Sequence, residues 1–256
     1  MARPFRNSVR RLLHRAGAAP AAEPGLGAVE EQNRPIVERC LPESMTGHLR
    51  LEATVDAVRY CVARDIPGAF VECGVWRGGS LLAMALTLLE LGVDDREIYG
   101  YDTFEGMTEP TEHDVARDGS SDAPAEWREA QERGERPWSG LFGTHQFDLE
   151  SVRATVTGSG YPAERIHLVE GEVEQTLPDE APERIALLRL DTDWYRSTRH
   201  ELHHLYPRLA DGGVLIVDDY GHWQGARQAV DEYFGSQAEP LLLNRIDYTG
   251  RIAVKR

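Results

Sequence analysis

Four acidic side chains follow two apolar runs in the second half of the chain. Asp191 and Asp193 come at the end of the run RIALLRLD, and Asp218 and Asp219 come at the end of GVLIVDDY. If the two runs are neighbouring parallel strands, the four carboxylates converge at one sheet edge and raise each other's pKa. A hard cation such as Mg²⁺ or Ca²⁺, bound through oxygen, offsets their repulsion. Helix capping explains Asp193 or Asp219 alone, but four acids at adjacent strand ends favour a metal site.

A second pattern, E-x-G-x-x-x-G-G, starts at Glu72 and runs through Gly74 to Gly78 and Gly79, with Ser80 as a plausible helix N-cap. Glycines let the backbone adopt positive φ and pass close to a ligand, and a helix N-terminus offers free N–H groups. A dinucleotide loop has the spacing G-x-G-x-x-G instead. An acid at the strand end suits the cationic S-adenosylmethionine better than the pyrophosphate of NAD. An ordinary strand–turn–helix junction is the alternative interpretation.

The second strand ends at Asp102, whose carboxylate can accept hydrogen bonds from both hydroxyls of a ribose. Cys73 is interpreted as a small buried residue of the cofactor loop and not as a nucleophile, because the sequence places no histidine beside it. His222 follows Asp219 by three residues, and we group it with the catalytic residues as a substrate contact, since Mg²⁺ rarely selects histidine. The predicted cofactor site also includes Val75, Trp76, Phe104, Gly171 and Asp191.

The acids and the glycine loop can form one site only if the strands that precede them end side by side. Short apolar runs predict strands at 69–75, 97–104, 165–172, 184–191 and 213–220, with helices at 34–66, 197–209 and 225–234. An antiparallel pair at 241–248 and 251–255 closes the chain. This alternation predicts an α/β fold with a doubly wound, mainly parallel sheet. Ligands bind beyond the carboxyl ends of the strands in such sheets, which is where the acids stand.

The composition narrows the possible functions. The chain has 256 residues and a formal net charge of −15, so it has no general attraction for nucleic acid phosphates. Its three cysteines are odd in number and lack a CxxC spacing, which favours a reducing cytoplasm over a disulfide framework. The longest apolar run, 80–92, is too short for a transmembrane segment.

We predict one domain over 34–256, preceded by a basic, disordered tail at 1–33. The alternative for the tail is a short helix at 9–14 that touches anionic lipid or a partner. Residues 34–66 form a helical cover. Residues 105–150 form a lid or insertion, because the strongly charged stretch 105–136 is too long for a plain connection and contains Trp127 and Trp138 to pack with.

Taken together, the chain resembles the macrocin, mycinamicin and novobiocin-type sugar O-methyltransferases. The resemblance covers roughly residues 40 to 255 and rests on five motifs: LEATVDAVRYCV (51–62), IPGAFVECGVWRGGS (66–80), YDTFEGM (101–107), LRLDTDWYRST (188–198) and LYPRLADGGVLIVDDYGHWQGARQAVDEYF (205–234). It implies a seven-stranded class I methyltransferase sheet with a C-terminal antiparallel strand, S-adenosylmethionine and Mg²⁺ as cofactors, and a homo-oligomer.

Carried over residue by residue, the resemblance makes Asp191, Asp218 and Asp219 the metal ligands, Asp193 the general base and Asp102 the ribose contact. The stretch 105–145 departs from the family pattern where the acceptor should bind, so only the chemistry is carried over. We expect transfer of a methyl group to a hydroxyl of a sugar or glycosylated compound. The alternatives are a phenolic acceptor, an NAD-dependent nucleotide-sugar oxidoreductase, and a non-catalytic binding module.

Overall fold

Seven strands form one mixed sheet in the computed structural model, which describes residues 25–142, 147–236 and 240–256. The strands are β1 (Ala69–Cys73), β2 (Ile98–Asp102), β3 (Ile166–Glu170), β4 (Ile185–Leu190), β5 (Leu209–Val217), β6 (Asn244–Arg245) and β7 (Arg251–Val254). They lie in the order β3-β2-β1-β4-β5-β7-β6. Strands β1 to β5 pair in parallel, and β7 is antiparallel to both β5 and β6. The predicted doubly wound α/β sheet is confirmed.

The register of the central strands decides which residues leave the sheet together. Cys73 on β1 lies opposite Leu190 on β4, and Leu190 lies opposite Val217 on β5. The next residues along the chain, Gly74, Asp191 and Asp218, therefore emerge side by side at the carboxyl edge. Both β1 and β4 are buried along their whole length, as expected of central parallel strands covered on both faces.

Helices cover both faces of the sheet. They are α1 (Arg34–Cys40), α2 (His48–Ala63), α3 (Gly79–Glu90), α4 (Ala123–Glu132), α5 (Ser139–Phe142), α6 (Leu149–Thr157), α7 (Val173–Thr176), α8 (Tyr195–His204) and α9 (Gln224–Gly235). Short 3₁₀ turns lie at Leu26–Ala28, Leu41–Glu43, Ala163–Arg165 and Tyr206–Arg208. One core layer joins α2, α3 and α6 to the sheet, and the other joins α8 and α9 to its opposite face. Among the described residues, no helix combines the length and the apolar character that a bilayer crossing needs.

Several predicted boundaries are corrected. The helical stretch 34–66 is two helices, since the turn Leu41–Glu43 contains Pro42 and interrupts it. Helix α8 ends at His204 and not at 209, and β5 starts at Leu209, before the predicted 213. The first strand of the predicted closing pair, 241–248, shrinks to Asn244–Arg245. It ends early because the Asp247 side chain accepts the N–H groups of Thr249 and Gly250 and forms a turn.

The predicted tail boundary at residue 33 is also too late. Val29 is 2% exposed, and the buried Asn33 donates to Asp56 over 2.8 Å. Both residues are held by packing and hydrogen bonds, so the folded domain includes residues 25–33. The basic run and the alternative helix at 9–14 lie outside the described residues.

The stretch 105–150 contains helices α4 and α5 and packs on the carboxyl edge of the sheet. The rings of Trp127 and Trp138 are in tilted contact, with centroids 5.9 Å apart, and Trp138 contacts Trp194 in the same way at 5.7 Å. Its backbone forms a bridge from Ala116 to Trp223, which follows β5. Tryptophan packing of the kind expected from the sequence therefore holds its described part, and its action as a lid stays a prediction.

Gly74, directly after β1, lies against the backbone that follows β4, and replacing it tests how much this close contact contributes to stability. Its φ is +82°, and a Cβ atom there would overlap the carbonyl oxygen of Asp191. Gly74→Ala should lower the free energy of unfolding by more than about 2 kcal/mol, since steric overlap adds to the left-handed strain. Gly92→Ala is the matched control: φ is +71°, and open space surrounds the site. It should cost about 1 kcal/mol. Urea unfolding measures both, and equal losses would contradict the role of the overlap.

Candidate active site

Three carboxylates meet at the carboxyl ends of β4 and β5. One oxygen each of Asp191, Asp218 and Asp219 lies within 4.8 Å of the others. Asp218 is 1% exposed and Asp219 is 8% exposed. Adjacent strand ends bring them together, as the sequence pattern predicted for these three acids.

Two arginines that sequence reasoning missed supply positive charge to this cluster. The fully buried Arg189 of β4 donates from Nη1 to Asp191 Oδ2 over 2.6 Å and to Glu72 Oε1 over 2.8 Å, and from Nη2 to Asp218. Arg50 of α2 donates to the other oxygen of Asp218. The repulsion among the acids is therefore offset by guanidinium groups, so it does not by itself require a metal. The available signal was a single arginine inside the otherwise apolar IALLRL.

The donor set still fits a hard cation. All three converging ligands are carboxylate oxygens, the type that Mg²⁺ and Ca²⁺ prefer. Asp219 Oδ2 is buried and has no hydrogen-bond partner among the described residues. Burial, followed by the charges of Asp193 and Asp191, raises the pKa of Asp219 well above its usual value. Burial also raises the pKa of Asp191. A cation in the cluster would favour the charged carboxylates that burial disfavours.

Asp193 lies beyond the end of β4 in a tight turn and is not one of the converging three. The N–H of Trp194 donates to Thr192 O over 2.7 Å, and φ of Asp193 is +66°, which together define a γ-turn. The convergence that the sequence pattern predicted therefore holds for three of the four acids. Trp223 Nε1 donates to Asp193 Oδ1 over 2.8 Å. Burial, then the charge of Asp191, raises the pKa of Asp193.

A further acid lies beneath this turn. Glu201 of α8 is fully buried, and its Oε1 accepts a hydrogen bond from the hydroxyl of Thr192 over 2.9 Å. Burial raises the pKa of Glu201 to about 8. The sequence carried no signal for it, because acids in helices are usually solvent-facing.

The glycine loop and Asp102 form the neighbouring part of the site. Asp102 Oδ2 accepts the N–H groups of Val75 and Trp76 over 2.7 and 3.0 Å, and Oδ1 accepts that of Phe104 over 2.8 Å. Trp76 and Phe104 both have positive φ, 50° and 52°. In this structure Asp102 holds two strained loops against each other, and its contact with a ribose stays a prediction. Gly171 joins them, since its N–H donates to Asp102 O over 2.9 Å.

The rest of the predicted loop follows the strand–turn–helix pattern. Gly78, with φ +87°, is the N-cap of α3, so the predicted N-cap Ser80 lies inside the helix and is buried. Gly79 packs closely against the backbone of Glu43 in the N-terminal segment. Cys73 is buried, and burial raises the pKa of its thiol well above the usual value, which agrees with a packing role. Burial likewise raises the pKa of Glu72 to about 8.

His222 lies in the turn after β5. Its ring packs against Trp223 at 4.7 Å and Tyr248 at 6.0 Å. Burial lowers the pKa of His222, which favours the neutral imidazole. Its role as a substrate contact stays a prediction.

The arrangement of a glycine loop, an aspartate at the next strand end and an acid cluster can be compared with known proteins. The chain matches the family described as Macrocin-O-methyltransferase (TylF) over residues 27–255. It belongs to this family. It is therefore an S-adenosylmethionine-dependent O-methyltransferase, and the resemblance seen in the sequence is confirmed.

Similar proteins include O-methyltransferases of Streptomyces and Micromonospora. The 8-demethyl-8-(2,3-dimethoxy-alpha-L-rhamnosyl)-tetracenomycin-C 4'-O-methyltransferase of Streptomyces olivaceus is 35% identical over 211 residues, 81% of this chain and 73% of the relative. The mycinamicin III 3''-O-methyltransferase of Micromonospora griseorubida is 32% identical over 190 residues, 74% of this chain and 69% of the relative. The solved structure of the O-methyltransferase NovP has a TM-score of 0.69 at 30% identity, with 83% of this chain and 82% of that chain covered.

The buried guanidinium of this O-methyltransferase gives a second test. Arg189→Met should destabilise the fold by about 3 to 5 kcal/mol, because Glu72, Asp191 and Asp218 each lose a buried partner. Arg196→Met is the control: the Arg196 side chain is 56% exposed and pairs with Glu172 and Glu174, so the loss should stay under about 1 kcal/mol. Urea unfolding compares them. A small loss at Arg189 would show that the acids do not depend on this cation.

Proposed function

We propose that this enzyme transfers the methyl group of S-adenosylmethionine to a hydroxyl of a sugar or sugar-containing natural product, with Mg²⁺ held by Asp191, Asp218 and Asp219. The observation that carries the proposal is the convergence of three carboxylate oxygens within 4.8 Å. Their strand ends adjoin the glycine loop, since Asp191 N–H donates to Cys73 O over 2.8 Å. The sugar acceptor is supported by the tetracenomycin relative, which is named for a rhamnosyl compound.

Different residues of the site hold the methyl donor and the cation. The loop 72–80 and Asp102 hold the donor, and the acid cluster holds the cation beside it. When bound, S-adenosylmethionine supplies an electrophilic methyl group and Mg²⁺ supplies a Lewis acid that lowers the pKa of a hydroxyl. Holding both reactants at one sheet edge contributes to the rate by converting an encounter in solution into a reaction between positioned groups.

Asp193 is the proposed general base. The indole N–H of Trp223 fixes Oδ1, which leaves Oδ2 to receive the proton of the acceptor hydroxyl. Burial raises the pKa of Asp193, and a carboxylate with a raised pKa is a stronger base than an exposed one. His222, in the turn after β5, is the proposed contact to the acceptor.

Membership of the macrocin O-methyltransferase family weighs against an oxidoreductase, and turnover with any hydroxyl acceptor would exclude a non-catalytic module. A phenolic acceptor is the remaining rival, and a parallel assay with glycosylated and phenolic compounds separates the two. A homo-oligomer and a cytoplasmic location stay predictions, and light scattering tests the first.

Binding of Mg²⁺ tests the metal site directly. Asp219→Asn removes one charged ligand, so its Kd for Mg²⁺, measured by calorimetry, should rise more than about tenfold. Asp211→Asn, an exposed acid on β5, should bind as the wild type does. The proposed metal site would be wrong if the wild-type protein bound no Mg²⁺ and still methylated its acceptor in the presence of a chelator.

Removal of the proposed base gives a separate result. Asp193→Asn should lower kcat by about 10² to 10⁴-fold, since the amide cannot accept the proton. Its affinity for S-adenosylhomocysteine should stay near the wild-type value, because the donor loop is untouched. Steady-state kinetics and calorimetry measure the two, with Asp211→Asn as the control. Full activity in Asp193→Asn would remove Asp193 from this role.

A further inference from the structure

The first part of the insertion, residues 108–117, is hydrogen-bonded to the turns after β4 and β5, which carry the proposed catalytic residues. Trp194, directly after Asp193, donates from Nε1 to Thr108 O over 3.0 Å. On the other side, Arg117 N–H donates to His222 O over 2.8 Å, and Gln224 N–H donates to Val115 O over 3.0 Å. The segment 108–117 therefore connects the turn after β4 to the turn after β5.

Asp114 is the buried centre of this connection. It is 0% exposed, and its Oδ1 accepts the N–H of Tyr195, the first residue of α8, over 2.7 Å. Its Oδ2 accepts the N–H and the hydroxyl of Thr111 over 2.7 and 2.9 Å. A Cβ atom on Gly225, in the first turn of α9, would overlap Asp114 Oδ1, so the glycine makes room for the carboxylate. Asp114 is thus enclosed between the starts of α8 and α9.

Asp114 acts as a capping acceptor for α8, although a helix is usually capped by the side chain of its own N-cap residue. The N-cap position of α8 is occupied by Trp194, whose indole donates to Thr108 and offers no acceptor for the first N–H groups of the helix. Asp114 accepts one of them, and its negative charge lies at the positive end of the helix dipole.

The position of α8 bears directly on Asp193. Tyr195 is two residues after Asp193, and Trp194 N–H closes the γ-turn in which Asp193 has a φ of +66°. A non-glycine residue in such a conformation is strained and persists only when its surroundings hold it. The carboxylate of Asp114 holds the residue that follows the turn, and Trp223 holds the Asp193 carboxylate itself.

We infer that Asp114 is a positioning residue for the proposed base, and that this part of the insertion serves catalysis by keeping the Asp193 turn in its strained geometry. The inference rests on the proposed function, because it needs Asp193 to be the base. It assigns the segment 108–117 a role in the rate of methyl transfer that is distinct from contact with the acceptor.

Asp114→Ala tests this against a purely structural capping role. Asp122 is the matched control: its side chain accepts the N–H of Ala125 over 3.0 Å as the N-cap of α4, and within the described residues it bonds neither catalytic turn. Its bridge to Val115 is made by the backbone, which the substitution keeps. We expect Asp114→Ala to lower kcat by about ten- to a hundredfold, the scale of a misplaced reacting group. Asp122→Ala should keep the wild-type kcat, although both variants lose a cap and some thermal stability. KM for S-adenosylmethionine and Kd for S-adenosylhomocysteine should be unchanged in both.

Asp114→Asn keeps the test decisive if the alanine variant does not fold. Its amide oxygen can accept the N–H of Tyr195, but the amide nitrogen then faces the N–H of Thr111, so kcat should fall between the alanine variant and the wild type. A kcat of Asp114→Asn equal to that of Asp122→Ala would overturn the inference. A parallel loss of affinity for S-adenosylhomocysteine would also overturn it, because the segment would then support the donor site.

The failure of the inference can be told from the failure of the proposed function. If Asp193→Asn is inactive and the Asp114 variants behave like Asp122→Ala, the base stands and only the positioning role falls. If Asp193→Asn is fully active, the proposed base falls, and the positioning role falls with it.

Discussion

The active-site edge depends on one electrostatic constraint, the burial of several carboxylates around a buried guanidinium. Arg189 lies inside β4, is fully buried, and donates to Glu72, Asp191 and Asp218, which belong to or follow three different strands. Each carboxylate alone would be costly to bury, and burial does raise the pKa of Glu72 and Asp191. The shared arginine lets them stay close together beside a site for a further cation. The buried ion pairs and the proposed metal site thus use the same side chains.

A second constraint is steric and concerns the backbone at the same edge. Gly74 allows the ends of β1 and β4 to touch, which brings the donor loop against the acid cluster. Five non-glycine residues of the described segments have positive φ, and three of them, Trp76, Phe104 and Asp193, lie at this edge. Strain of this kind tends to collect at functional sites, where the surrounding structure holds it. Here Asp102 holds the first two residues by accepting their N–H groups, and the turn around Asp193 is held from the insertion and from Trp223.

The described part of residues 105–150 contacts the turns after β4 and β5. The rings of Trp127 and Trp138 make tilted contacts that continue to Trp194, which meets Trp223 edge to face after β5. The indole N–H groups of three of these rings also donate hydrogen bonds, such as the bond from Trp138 Nε1 to Glu126 over 2.8 Å. Hydrogen bonds and ring contacts therefore join this stretch to the turns after β4 and β5.

The amino-acid sequence by itself determined the alternation of strands and helices, the place of the glycine loop, and the convergence of Asp191, Asp218 and Asp219, because periodicity and strand-end position are local properties of the chain. It also determined the family, through motifs that need no coordinates. Only the tertiary structure decided what neutralises the acids, since Arg50 and Asp218 are 168 positions apart and no local pattern links them. The same reason hid Asp114, which bonds the residue after the Asp193 turn from 81 positions away. Glu201 was missed because an acid in a helix usually faces solvent. The turn that takes Asp193 out of the predicted cluster of four acids was also missed, because a side chain's direction after a strand end is set by the contacts that hold it.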